Sequence, residues 1–194
     1  LASDKLFVSA NSYTGQEKTK FAVVRYGNVM GSRGSVIPFL MSLKNEEQVP
    51  LTDERMTRFM ITLEEAIHLV YLTFKDMEGG EIYVKKIPSI KIIDLIKYMF
   101  PNKKHNVVGI RPGEKLHEEM ISEIDSLSTY SYKGYYKIIS KNISNFKKII
   151  KGGKKVPEGF VYSSESNSDW MTKNFFDNWF NVYNKKLQKG FYKY

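Results

Sequence analysis

Cysteine is absent from the 194 residues. That excludes disulfides, cysteine nucleophiles, cysteine-ligated zinc and iron–sulfur clusters, and it fits a reducing compartment, the cytoplasm. Histidine is scarce: His68, His105 and His117 stand far apart without ligand spacing, so no metal site is expected. No apolar run reaches the roughly 18 residues that a membrane span needs, so no membrane segment is expected. No basic stretch followed by an apolar one opens the chain, so no signal peptide is expected either. What is present, 42% hydrophobic and 26% charged residues, is ordinary globular composition.

Acidic residues are the minority sign. Lys plus Arg total 30 against 21 Asp plus Glu, a net charge of +9. Such an excess favours polyanionic partners: nucleic acid, an anionic membrane or phosphorylated small molecules. Only Arg25, Arg33, Arg55, Arg58 and Arg111 are arginine, all near Gly and Pro turns. Arginine forks bind phosphate bidentately whereas lysines mostly solubilise, so a site is sought among these five. The denser lysine stretch from Lys141 to Lys155 reads as a solvated helix face stopped by Gly152-Gly153.

Patterning gives an alternation of elements. Ala2, Leu6, Ala10 and Tyr13 share one helical face, with no cap before them, so the chain is expected to be the later part of a longer protein. FAVVRYGNV (Phe21–Val29) reads as one buried strand, and Val36–Lys44 as a helix. VPLTD and Met56–Ile61 are extended, and Thr62-Leu-Glu-Glu forms a capping box opening a helix over Leu63–Met77. GEIYVKK is a strand, Ser89 caps a helix over Ile90–Phe100, and Pro101 stops it. NVVGI is a strand, and Pro112–Ser122 a turn entering a short helix. Tyr135–Ser140 and Phe160–Tyr162 are candidate strands, and Trp170–Phe180 an amphipathic helix. The alternation signals an α/β protein with an at least partly parallel sheet.

Gly27, Gly31 and Gly34 follow a strand and precede a helix, as in a dinucleotide-binding turn. Their G-x-x-x-G-x-x-G spacing departs from the dinucleotide fingerprint, so taken alone they only turn the chain. The neighbours add more. VVRYGNVMGSRGSVIP, then MTRF, then GIRPGEKLHEEMI, in that order, resemble the nucleotide-sugar 4,6-dehydratases of the extended short-chain dehydrogenase/reductase superfamily. The resemblance is closest to the C5-inverting UDP-N-acetylglucosamine 4,6-dehydratases of pseudaminic acid synthesis. It runs from Leu1 to at least Ile121 and includes the later VYSSESN.

The resemblance implies the C-terminal part of a doubly wound NAD(P)-binding Rossmann fold plus a smaller α/β substrate-binding domain. Residues 1–30 and 62–84 would complete the Rossmann domain; 31–61 and 85–194 would form the substrate domain. It implies that Asn28, Arg58, Arg111 and Glu114 bind the UDP-sugar, Arg58 and Arg111 at the nucleotide and Glu114 at the uridine ribose. The backbone of Val29, Met30, Gly31, Ser32 and Arg33 would lie along the nicotinamide end of NADP, whose main binding residues would be upstream. The family's catalytic Tyr-x-x-x-Lys would also precede Leu1. Asp4-Lys5 is therefore not the catalytic pair, and Tyr71-x-x-x-Lys75 is coincidental, with Tyr71 packed and Lys75 in solvent. The chain alone is expected to lack dehydratase turnover, to bind NADP poorly and to expose the apolar faces of FAVVRY and EIYV, favouring aggregation. A homo-oligomer is implied for the full-length protein, with no nucleic-acid partner.

These roles suit the side chains. Two guanidinium forks held apart match a diphosphate, a carboxylate accepts from both hydroxyls of a ribose, and an amide both donates and accepts. Blander alternatives stand beside them. Arg58 and Arg111 could form surface ion pairs with Asp53, Glu114 or Glu118. Glu114 and Glu118 could merely suit a helix start, Asn28 could be a turn residue, and Thr52-Asp53-Glu54 looks like a turn. The rival readings are a related epimerase or capsule-type dehydratase and, from another class, a basic nucleic-acid-binding module supported by +9 and 13 tyrosines.

Overall fold

The computed structural model describes residues 2–15, 19–140 and 146–189. In chain order its elements begin with α1 (Ala2–Ala10), β1 (Val23–Arg25), β2 (Asn28–Val29), α2 (Val36–Ser42), β3 (Gln48–Leu51) and β4 (Thr57–Ile61). Next come α3 (Leu63–Asp76), β5 (Glu81–Lys85), β6 (Ser89–Lys91), α4 (Ile92–Met99), β7 (Lys104–Val107) and β8 (Glu119–Ile121). The last are α5 (Glu123–Ser126), β9 (Thr129–Tyr132), β10 (Tyr135–Ile139), α6 (Phe146–Ile149), β11 (Lys154–Lys155), β12 (Tyr162–Ser163) and α7 (Lys173–Gln188). The class is mixed α/β, with parallel pairs β1–β5, β2–β4 and β3–β7.

The chain forms two compact units. The first comprises Leu1–Tyr26, Leu63–Lys86 and Glu119–Ser163; the second comprises Gly27–Thr62, Ile87–Glu118 and Ser164–Tyr194.

The first unit is built on a sheet of order β1-β5-β10-β9-β11. β5 lies inside it, parallel to β1 and antiparallel to β10, so its Ile82-Tyr83-Val84 run is buried throughout. Five paired positions between β10 and β5 place 119–163 in this unit, not with 31–61 as the sequence-drawn boundary had it. Lys137 of β10 is buried, its Nζ 2.5 Å from Asp76 Oδ2 and over the rings of Tyr83 and Tyr132. Burial, and the hydrogen bond it donates to Asp76, raise the Tyr83 hydroxyl far above its ordinary pKa. Arg25 is engaged here, bonded to Asp4, Asp125 and Met120 O.

Of the two runs expected to expose apolar faces, EIYV is covered, whereas FAVVRY is half-buried with Tyr26 exposed. A further exposed apolar face lies on a helix. On α3, Ala66, Leu69 and Thr73 face inward, while Leu63, Ile67, Val70, Tyr71 and Phe74 are 43–72% exposed at helical spacing. Tyr71 is therefore not packed into a core, and Lys75 lies over its ring at 4.4 Å. Of the lysine stretch, Lys141–Asn145 falls outside the described residues, and α6 is followed by Gly152 at φ +78°.

The second unit carries two small sheets, β2-β4-β6 and β3-β7. Its core joins Met30, Ile37, Leu40, Leu51, Leu95 and Phe176. α7 contributes an aromatic ladder, with Trp179 stacked on Tyr183 and Phe176 on Phe180.

Three local expectations change. FAVVRYGNV is two strands in different sheets: a Cβ on Gly27 would lie 2.4 Å from Phe59 Cβ, so the chain turns there on the one residue that fits. Ser89 does not cap a helix. It lies buried in β6, accepting a hydrogen bond from Asn167, and α4 starts after Lys91 without a side-chain cap. Residues 112–118 are irregular, and the short helix comes later, at α5 behind the Ser122–Asp125 capping box.

Candidate functional site

The second unit holds a cavity of about 370 Å³ with a polar side and an apolar side. Asn28, Arg58, Arg111 and Glu114 line the polar side, with Thr52 and Ser35. Phe39, Leu40, Met56 and Ile92 contribute to the apolar wall. The four residues proposed for the UDP-sugar are thus brought to one hollow, of a size and mixed lining suited to a small ligand.

β4 positions Arg58, and the turn after β7 comes to it. The guanidinium donates from Nη1 to Thr57 O (2.7 Å) and Leu116 O (3.0 Å), and from Nη2 to Lys115 O (2.8 Å). The carbonyls of Lys115 and Leu116, in the irregular 112–118 segment, are thus satisfied by a side chain rather than by a helix ladder. Arg58 is therefore not the free fork that sequence suggested. Only 14% exposed, it gives the cavity positive charge and at most part of its donor edge. Its long ion pairs, 3.8 Å to both Glu114 and Glu118, temper that charge.

Arg111 is the open fork. It is exposed, and no side-chain partner is found for it among the described residues. Gly113, at φ +80°, makes the tight turn that lets Glu114 Oε2 accept the Arg111 N–H at 3.2 Å. Glu114 does not sit at a helix start, so dipole preference does not account for it.

Asn28 is no turn residue. It pairs with Met60 in the parallel β2–β4 ladder, and its Nδ2 donates to Glu118 Oε1 (2.9 Å) and Phe59 O (3.3 Å). Behind it, Thr57 Oγ1 lies 2.8 Å from His117 Nδ1 and 2.7 Å from Ser164 Oγ. Asp53, in the turn read from sequence, is held down to about pKa 2 by hydrogen bonds from the Arg55 side chain and backbone.

The residues proposed for NADP are differently placed. Met30 is a core side chain, and Val29 pairs with Ile61. Gly31 is covered by Tyr183, whose ring stands 2.4 Å from where a Cβ would be. Ser32 and Arg33 are exposed, and Arg33 borders a separate hollow of about 460 Å³ with Phe39, Met41 and Tyr183. Within this loop only Ser32 and Arg33 offer side chains that a cofactor could meet. Among the described residues, no group of His, Cys, Asp and Glu could hold a metal ion, and no helix is long and apolar enough to cross a membrane.

Sequence reasoning passed over Ser35 and Glu118. The Ser35 hydroxyl is buried without a hydrogen-bond partner at the cavity wall. Glu118 stands in the quoted GIRPGEKLHEEMI string, where sequence offers it only as an ion-pair partner of the arginines or as a helix-dipole residue, not as a partner of Asn28. The apolar wall has no signal in the sequence, because its residues come from four separate segments.

Residues 1–140 match the family described as polysaccharide biosynthesis protein. The chain belongs to that family. Among curated proteins, it is 49% identical over 182 residues to a UDP-N-acetylglucosamine 4,6-dehydratase (inverting) of Campylobacter jejuni, covering 89% of this chain and 54% of that protein. It is 36% identical over 160 residues to a UDP-glucose 4-epimerase of Rickettsia akari, covering 79% and 47%. Among solved structures, Pen from Bacillus thuringiensis superposes with a TM-score of 0.80 at 32% identity, covering 95% of this chain and 56% of that one. This polysaccharide biosynthesis family chain thus spans about half the length of the curated relatives it matches.

Proposed function

We propose that this chain is the nucleotide-sugar-binding portion of a C5-inverting UDP-N-acetylglucosamine 4,6-dehydratase serving pseudaminic acid or related surface-glycan synthesis in the cytoplasm. One observation carries the reading: Asn28, Arg58, Arg111 and Glu114, distant in sequence, line one cavity. The 49% identity to an inverting dehydratase favours that substrate over the epimerase alternative at 36%.

In this reading the second unit is the substrate half, and the first belongs to the dinucleotide-binding half. Arg111 takes the diphosphate with charge-assisted bonds of about 1.5–3 kcal/mol each, and Arg58 adds field from behind its carbonyl anchors. Glu114 accepts ribose hydroxyls. NADP, when bound, would take the hydride from the sugar C4 and return it at C6 in an internal redox cycle; Ser32 and Arg33 are this chain's side chains nearest in role to it. The full-length protein is a homo-oligomer and takes no nucleic acid. The chain alone has no turnover in this reading, because the family's catalytic Tyr-x-x-x-Lys has no counterpart among its matched motifs and Tyr71-x-x-x-Lys75 is a coincidental match.

Thermal unfolding with UDP tests it. The full-length protein is expected to gain stability with UDP, and Arg111→Ala to lose that gain. Salt-sensitive RNA binding without a UDP response would instead favour the nucleic-acid module. Release of a 4-keto sugar from UDP-N-acetylglucosamine by the chain alone would overturn the statement about turnover.

A further inference from the structure

We propose that Glu118 is a positioning residue that fixes which atom Asn28 offers to the cavity: the carbonyl oxygen, so that the ligand group seated there is a hydrogen-bond donor, a hydroxyl or an amide N–H, and not a phosphate oxygen. The proposal rests on the sugar-nucleotide reading above and adds to it an atom and a direction.

The argument begins with valence. An asparagine amide has two N–H donors and one acceptor oxygen. The Asn28 Nδ2 lies within hydrogen-bond distance of two groups that only accept, the Glu118 carboxylate at 2.9 Å and the Phe59 carbonyl at 3.3 Å. Turning the amide over would set its oxygen against a carboxylate and a carbonyl, lone pair against lone pair, so the surroundings permit one orientation. The oxygen is then the polar atom left for the cavity, which Asn28 lines and Glu118 does not.

Glu118 is itself anchored. Its second oxygen accepts the Phe59 N–H at 2.9 Å, tying it to β4. Its backbone N–H donates to Ser164 Oγ at 2.9 Å, and that hydroxyl lies 2.7 Å from Thr57 Oγ1. The carboxylate thus holds Asn28 from a frame that includes the backbone of the neighbouring strand. An acceptor oxygen backed by a carboxylate repels a phosphate and suits a sugar hydroxyl or an N-acetyl N–H. Arg111 remains the phosphate fork.

The test uses the full-length protein with two probes, UDP-N-acetylglucosamine and UDP, titrated by calorimetry. Glutamine at 118 has one acceptor oxygen for two donors, Asn28 N–H and Phe59 N–H, so Glu118→Gln lets the amide turn over. Glu118→Gln and Asn28→Ala are each expected to weaken UDP-N-acetylglucosamine at least tenfold while leaving UDP within twofold. The double variant is expected to lose no more than the larger single, since the pair acts as one device. A general structural defect would not change the ratio of the two affinities. Equal losses on both nucleotides, no loss, or additive losses in the double variant would overturn the proposal. If Glu118→Gln does not fold, Asn28→Ala decides alone by the same ratio. Failure of the unmodified protein to bind either nucleotide overturns the sugar-nucleotide reading and the proposal with it; binding of both with an unchanged ratio overturns the positioning role only.

Discussion

Tyr183 occupies the place where a side chain on Gly31 would be. Its ring lies 2.4 Å from that Cβ position, and its hydroxyl donates to Gly31 O at 3.2 Å. Gly31 also stands at φ +71°, where L side chains are strained. Gly31→Ala is therefore expected to destabilise the protein by about 2–4 kcal/mol, overpacking and backbone strain contributing together. Tyr183→Phe, losing one neutral hydrogen bond, is expected to cost about 1 kcal/mol. Urea unfolding of the two variants separates the effects.

Arg58 and Arg111 line the same cavity but differ in what else they hold. Arg58→Ala is expected to lower stability by about 1–3 kcal/mol, because the Lys115 carbonyl loses the guanidinium and those of Thr57 and Leu116 each lose one of two donors. Arg58→Lys does not restore it, since an ammonium cannot span three carbonyls as a planar fork does. Arg111→Ala, on an exposed turn, is expected to change stability by less than about 0.5 kcal/mol and to lose nucleotide binding. Thermal melts with and without UDP read both.

Glu78 accepts from Lys20 at 2.9 Å and Lys148 at 2.5 Å, and the Lys148 and Lys20 hydrogen bonds hold its carboxyl down to about pKa 2. A lowered carboxyl pKa contributes stability above the unfolded value and loses it as pH falls toward the folded one. The Glu78 contribution is therefore present above about pH 4.5 and declines toward pH 2. Its side chain is 23% exposed and Lys148 is largely in solvent, so each pair is expected to contribute weakly and to weaken further in salt. Glu78→Gln is expected to flatten the acid limb of stability against pH, measured by denaturant midpoints.

The outward face of α3 predicts self-association. Ile67 and Phe74, 59% and 72% exposed, share that face two turns apart. Ile67→Lys with Phe74→Asp is expected to raise the solubility of the chain expressed by itself and to shift its sedimentation toward smaller species. An unchanged distribution would place the association elsewhere.

Glycine spacing, the three arginine-bearing strings and the alternation of periods were legible because each is local: a turn, a helix face or a motif is written in neighbouring residues. The alternation determined the α/β class, and the resemblance carried by the strings implied Asn28, Arg58, Arg111 and Glu114 as substrate residues. Tertiary structure decided the rest. Gly27 splits one apparent strand because Phe59, 32 positions on, leaves no room for a Cβ. Ser89 is drawn from a cap into β6 by Asn167, and 119–163 joins the first unit through the pairing of β10 with β5. Arg58 is an anchor rather than a free fork because carbonyls 57 residues or more downstream, at 115 and 116, come within its reach. Each of these depends on an atom far along the chain, and hydrogen bonding and exclusion act at distances that sequence separation does not encode.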